Sequence, residues 1–154
     1  MKASPELSHH LQAVLVDLIA LSLQGNEAHW TVVGPNFRDL HLLLDEITMS
    51  ARLLADKVAE RMRALGAEPD GRSGTVAEST TLAEFPPGLL TTDLVVKTIG
   101  DRLRSSTATV RAVHDPVDTE DPTTADLLHE ILEALEQFHW LLTAEHPELR
   151  PSPV

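Results

Sequence analysis

Four long stretches of this chain repeat large apolar residues at helical spacing, and glycine or proline punctuates each break between them; this alternation restricts the fold more than any other feature. The first stretch runs from about Pro5 to Val32, with Leu7, Leu11, Val14, Leu18 and Leu21 on one face. Gly34-Pro35 interrupts it, Asn36 is placed to cap the next helix, and Asp39 favours that helix's first turn. The second, from about Phe37 to Leu65, turns Leu40, Leu43, Leu44, Ile47, Leu54, Val58 and Met62 inward and stops at Gly66. Ala67 to Gly88 is rich in Gly, Pro, Ser and Thr, and Pro86-Pro87-Gly88 forbids a long helix there; a short helical turn is expected around Thr81 to Phe85. The third runs from near Thr92 to about His114, with Val95, Ile99, Leu103, Val110 and Val113 inward, and is expected to end at Asp115-Pro116. Asp121-Pro122 reads as an N-cap with proline at the first helical position. The fourth helix then carries Leu128, Ile131, Leu135, Phe138 and Leu142 to about Glu145. Pro147, Pro151 and Pro153 mark a short irregular tail.

Four helices of about 25 residues with one long connection predict an all-α four-helix bundle of ferritin type. It forms a single domain over 1–154, the bundle occupying about 5–146, and the long link lets the second and third helices run in the same direction. No apolar run is long enough to span a membrane, and Met1 to Pro5 lacks the apolar segment of a signal peptide. With no cysteine there are no disulfides, zinc–thiolate sites or thiol chemistry, which fits the cytoplasm. The net charge of −12 repels phosphate backbones and attracts cations, and eight histidines raise metal binding as an idea.

The second helix carries the residues with chemical promise. His41 and Asp45 are four apart, as are Asp56 and Glu60, so each pair projects from one face a turn apart. Asp45 and Asp56, eleven residues apart, point in nearly the same direction but are separated by roughly 16 Å along the axis. No single ion, with ligand bonds near 2 Å, can touch both pairs of one chain. Either the pairs are ordinary solvated side chains, or two copies of the helix lie antiparallel across a two-fold axis. In that case His41 and Asp45 face Asp56 and Glu60 of the partner subunit, with the small residues Ser50 and Ala51 near the axis. His29 falls on the inner face of the first helix; a histidine there is either a core residue or a ligand, and its neighbour Trp30 reads as packing. Two imidazoles and three carboxylates suit Fe(II), Mn(II) or Zn(II) better than Ca(II) or Cu(I).

One stretch reads Ala28-His29-Trp30-x-Val32-x-Gly34-Pro35-Asn36-Phe37-x-x-Leu40-His41-x-x-x-Asp45-Glu46, continuing to Asp56-x-x-x-Glu60-Arg61 and Leu65-Gly66. A second reads Thr124-Ala125-Asp126-Leu127-Leu128, with Trp140 further on. With these the chain resembles the Dps proteins (DNA-binding proteins from starved cells), the small ferritins of bacteria, over roughly Leu7 to Ala144. The resemblance implies a hollow shell of twelve subunits with ferroxidase sites at dimer interfaces. Carried over by position, His29, His41 and Asp45 come from one subunit, and Asp56 and Glu60 of the partner subunit complete the site. Iron(II) is oxidised there, usually by hydrogen peroxide, and ferric mineral collects in the cavity, protecting DNA chemically. Trp30, beside a ligand, is then placed to quench radicals. Asp118, Glu120, Asp121, Asp126 and Glu130 crowd the start of the fourth helix, where acidic three-fold channels for iron entry are expected, with Asp126 and Glu130, four apart, forming the carboxylate rings; for Asp121 the N-cap role stands beside this one.

Family members often bind DNA through a lysine-rich tail, and here the sequence departs. The segment before Leu7 has one basic residue, Lys2, and the tail after His146 has one, Arg150. The termini and the net charge do not favour DNA binding or nucleoid association, although many copies of one lysine supply some avidity. Glu136-x-x-His139 matches the spacing of di-iron bundles that hold metal inside one subunit. Asp126-x-x-His129 is a further acidic version, and an in-subunit di-iron site is the alternative reading. A non-catalytic DNA-compacting shell, or buffering of zinc or manganese, are others. His9, His10, His114 and His146 sit near segment ends and are expected at the surface.

Overall fold

The computed structural model describes residues 1–146 and Glu148, and the expected irregular tail through Pro147, Arg150, Pro151 and Pro153 lies outside them. Among the described residues the elements run α1 Pro5–Thr31, β1 Val32–Val33, α2 Phe37–Ala64, α3 Ser73–Ser79, β2 Leu90–Thr91, α4 Thr92–Glu120 and α5 Pro122–Thr143. The four long helices pack as a ferritin-like bundle. β1 pairs in parallel with β2, Val32 opposite Leu90, so that α2 and α4 start from the same end. Nearly every residue expected to face inward is buried; Leu43 and Phe138 are only partly covered. No helix of the described residues is long and apolar enough to cross a membrane.

The helix ends obey local chemistry. Ser4 caps α1 by accepting the Leu7 N–H at 3.0 Å, with Pro5 in the first turn. α2 ends at Gly66 with φ +75°, the Gly66 N–H donating to Arg63 O and the Ala67 N–H to Met62 O. This is the Schellman arrangement that glycine permits. Asn36, in contrast, does not cap α2: it sits at φ 57° and its side chain reaches Glu145 at 3.3 Å.

Two elements differ from expectation for tertiary reasons. α4 does not stop at Asp115-Pro116 but continues to Glu120. Proline there removes one helical hydrogen bond, a cost of about 3 kcal/mol when added to its ring clash. Val113 and Val117 are buried on the core side, and Glu120 accepts from both the Ser4 N–H (2.9 Å) and hydroxyl (2.6 Å), which holds the extra turn in place. The short helix of the connection lies at Ser73–Ser79, not Thr81–Phe85. Asp17, buried in α1, captures that later segment instead. It accepts from the Thr80 hydroxyl (2.7 Å), the Thr81 N–H (2.8 Å) and hydroxyl (2.6 Å), and the Thr109 hydroxyl of α4 (2.7 Å).

α1 and α2 approach closely at Gly25, where an added Cβ would stand 2.6 Å from Thr48 Oγ1. That close approach brings the end of α1 against the start of α2, where His29 and His41 meet.

Candidate metal centre

His29 lies in the last turn of α1 and His41 in the second turn of α2. Their rings stack with centroids 3.6 Å apart and planes 19° from parallel, and Phe37 stacks on His41 at 5.0 Å. His29 Nδ1 lies 2.8 Å from the His41 carbonyl oxygen, and His41 Nδ1 2.9 Å from the His29 carbonyl oxygen. A carbonyl only accepts, so each Nδ1 must carry the proton. With Nδ1 held as the donor, Nε2 is the nitrogen of each ring left to bind a metal, and the ring is oriented for it by the Nδ1 bond. Both histidines are half-buried, which fixes them without sealing them from solvent.

Asp45 lies one turn beyond His41 and is exposed; Asp56 and Glu60 are exposed further along α2. Among the described residues no three His, Asp or Glu side chains converge as a metal-holding group. One chain thus offers an imidazole pair with Asp45 beside it and a separate carboxylate pair, as the helical rise requires. Trp30 is 67% exposed, so it does not pack into its own chain as expected. Ala51 is buried in its own core, so it does not lie on the outward face near the midpoint of α2; Met49 and Leu53 do.

The acidic residues near the α4–α5 junction divide by partner. Glu120 holds Ser4, and Asp121 is buried against Arg61 at 2.6 Å and the Thr124 hydroxyl. Burial pushes the Asp121 carboxyl up, but the Thr124 and Arg61 hydrogen bonds and the Arg61 charge outweigh it and hold it below the usual range. Asp121 starts α5 without a side-chain cap bond. Glu130 pairs with Lys57, while Asp118 and Asp126 are exposed.

Among the described residues the di-iron spacing on α5 does not assemble a site. Glu136 pairs with Arg111, and His139 lies beside Gly100, with Asp101, Arg104 and Thr143 around the same cleft. Burial and the Arg104 charge lower the His139 pKa against the pull of Asp101. The buried acidic side chains among the described residues are Asp17 and Asp121, both engaged elsewhere. Of the end-of-segment histidines, His9 is exposed, whereas His10, His114 and His146 are half-buried.

A ferritin-like domain model matches residues 8–150, nearly the whole described chain. The DNA protection during starvation protein of Agrobacterium fabrum is 30% identical over 139 residues, covering 90% of this chain and 86% of that protein. The chain belongs to the Dps family of ferritin-like proteins. A second Dps relative, DNA protection during starvation protein 2 of Deinococcus radiodurans, is 36% identical over 141 residues. That match covers 87% of this chain but spans only 56% of the Deinococcus protein. Among solved structures, Dps from Microbacterium arborescens in a high iron form superposes with a TM-score of 0.87 at 34% identity, covering 94% of this chain and 97% of that one.

The reciprocal Nδ1–carbonyl bonds and the Asp17 cluster escaped sequence reading. A His at the end of one helix and a His four residues into the next was the available signal for the first; nothing in the spacing of Asp17 announced the second.

Proposed function

We propose that this chain oxidises iron(II) at sites shared between two subunits and stores the ferric product inside a closed shell, in the cytoplasm. The Dps family in general serves iron storage and DNA protection, and the Microbacterium relative was captured in a high iron form. The observation that carries the reading is the outer stripe of α2. Leu42, Met49 and Leu53 are 46%, 64% and 58% exposed, in one row with Asp45, Asp56 and Glu60. Rows of large apolar side chains open to water mark protein interfaces. An antiparallel copy of α2, related by a two-fold axis between residues 50 and 51, covers the row. The same rotation sets His41 against Glu60 of the partner subunit and Asp45 against Asp56 of the partner subunit. His29, stacked on His41, supplies the second imidazole.

Nitrogen and carboxylate ligands together suit Fe(II). With peroxide as oxidant, two Fe(II) each give one electron, the O–O bond breaks, and two hydroxides form with no hydroxyl radical released. The protection is chemical. Next to Lys2, the Ala3 N–H donates to Leu65 O at 2.9 Å and the Ser4 hydroxyl to Glu120.

Anaerobic titration with Fe(II), then hydrogen peroxide, tests the reading. Consumption of about two Fe(II) per peroxide, with soluble ferric iron retained by the protein, is expected; a non-catalytic DNA-compacting shell consumes neither. Native mass spectrometry should give a dodecamer of about 200 kDa, twelve times the 16.8 kDa chain. A 24-mer, or monomers at micromolar concentration, would refute the shell.

A further inference from the structure

A second histidine pair lies between α4 and α5. His114 Nε2 and His129 Nε2 stand 2.7 Å apart, with ring centroids at 4.8 Å. The other nitrogen of each ring faces a carboxylate: His114 Nδ1 donates to Asp115 Oδ1 at 2.9 Å, and His129 Nδ1 lies 3.7 Å from Asp126 Oδ1, in ion-pair range. The 2.9 Å bond to Asp115 selects the His114 tautomer whose Nε2 is bare, whereas the 3.7 Å contact to Asp126 is too long for a hydrogen bond and does not set the His129 tautomer. His114 Nε2 therefore turns its lone pair on His129 Nε2 across 2.7 Å, a gap that either the Nε2 proton of His129 or a metal cation held by both rings fills.

We infer that His114 and His129 form a second metal site, a two-imidazole seat for a Cu(II)-type divalent ion. The present separation of the two nitrogens suits one coordination geometry better than another. With metal–nitrogen bonds of about 2.0–2.1 Å, a gap near 2.7 Å subtends roughly 80–85°. That is close to the cis angle of square-planar or tetragonal coordination, the preference of Cu(II) and Ni(II). Tetrahedral zinc needs nitrogens about 3.3 Å apart at the same bond length. Cu(II) also stands highest in intrinsic affinity for such nitrogen ligands. Among the described residues no third His, Asp or Glu completes the group, so water fills the remaining positions. The surroundings favour a cation: Arg111 on the rim is paired with Glu136, while Asp118 and Glu133 stand exposed one turn from His114 and His129. His114 has 24% of its side chain exposed and His129 58%, so an ion in solution can reach both rings.

The test is titration of the assembled protein with Cu(II) in a His41→Ala background, which removes the α1–α2 pair as a competing seat. One Cu(II) per chain is expected, with an axial electron paramagnetic resonance signal split by two imidazole nitrogens. Zn(II) should bind at least tenfold more weakly. His114→Ala and His129→Ala should each abolish the two-nitrogen signal while leaving circular dichroism and assembly intact. Asp115→Asn, which keeps both imidazoles, should weaken Cu(II) about tenfold, the usual effect of losing a carboxylate behind a ligating histidine. Equal Cu(II) binding and spectra in parent and His114→Ala or His129→Ala proteins would overturn the site. So would absence of Cu(II) binding in the parent, the result expected if the two rings share only a proton. Zn(II) binding as tightly as Cu(II) would overturn the cis geometry.

Discussion

His29 and His41 hold each other through their partners' main chains: Nδ1 of each bonds to the carbonyl oxygen of the other at 2.8 and 2.9 Å. The two carbonyls remain when either side chain is removed. A His41→Ala change therefore leaves the His29 ring anchored and the α1–α2 junction bonded, so it tests the proposed ligand role of His41 rather than the fold. Loss of the 3.6 Å stack is the remaining structural effect.

The proposed sharing of the site between subunits predicts complementation. His41→Ala and Asp56→Ala should each abolish rapid iron oxidation. Mixing the two inactive proteins after dissociation and reassembly should restore activity, because a mixed dimer has one site with both defects and one with none. Random pairing makes half the dimers mixed, so about a quarter of wild-type activity is expected if sites act independently. No recovery, with mixed dimers confirmed by mass spectrometry, would sink the interface reading.

Asp126 is exposed near the start of α5, unlike Glu120 and Asp121, which are engaged within the chain. If it lines the route by which cations enter, Asp126→Asn should slow iron uptake at low ionic strength, where the field of unpaired carboxylates is least screened. Assembly should be unaffected. Stopped-flow uptake with the same rate as wild type at low salt would count against the channel.

Asp17 joins α1, the long connection and α4 through four hydrogen bonds to one buried carboxylate. Asp17→Ala leaves three hydroxyls and a backbone N–H without their acceptor, and about 2–4 kcal/mol of stability should be lost. Asp17→Asn, which keeps one acceptor oxygen, should lose less. Thermal unfolding of both variants checks the order, and equal losses would mean that the carboxylate packs rather than bonds.

His139 gives a pH dependence of definite sign. Burial and the Arg104 charge lower its folded pKa below the ordinary 6.5, with Asp101 opposing. Between the folded value and 6.5 the unfolded chain binds more protons, so stability falls as pH drops through that window. His139→Gln removes this component. Unfolding midpoints measured from about pH 7.5 to 5.5 should fall less steeply for the variant, and parallel slopes would exclude His139 as the source.

The sequence alone determined the helical segments, their inward faces and the spacing of the candidate ligand pairs on α2, because apolar periodicity and rise per residue are local properties. It could also state that one chain's His41 and Glu60 cannot share an ion, a matter of helix geometry only. What it misjudged depended on distant partners. Pro116 reads locally as a stop, yet burial of Val117 and the Glu120–Ser4 bonds carry α4 past it. Thr81 to Phe85 reads as a turn of helix, yet Asp17, 64 residues from Thr81, takes its hydrogen bonds. Glu120 and Asp121 are channel candidates in the sequence, and Asp121 an N-cap candidate as well; that they bond to Ser4 and Arg61 was decided by tertiary contacts. The stacking of His29 on His41 and the convergence of His114 on His129 were decided by tertiary structure, because each needs two helices brought side by side. Ring orientation is set by which carbonyl or carboxylate lies next to Nδ1, and spacing along one helix carries no information about that.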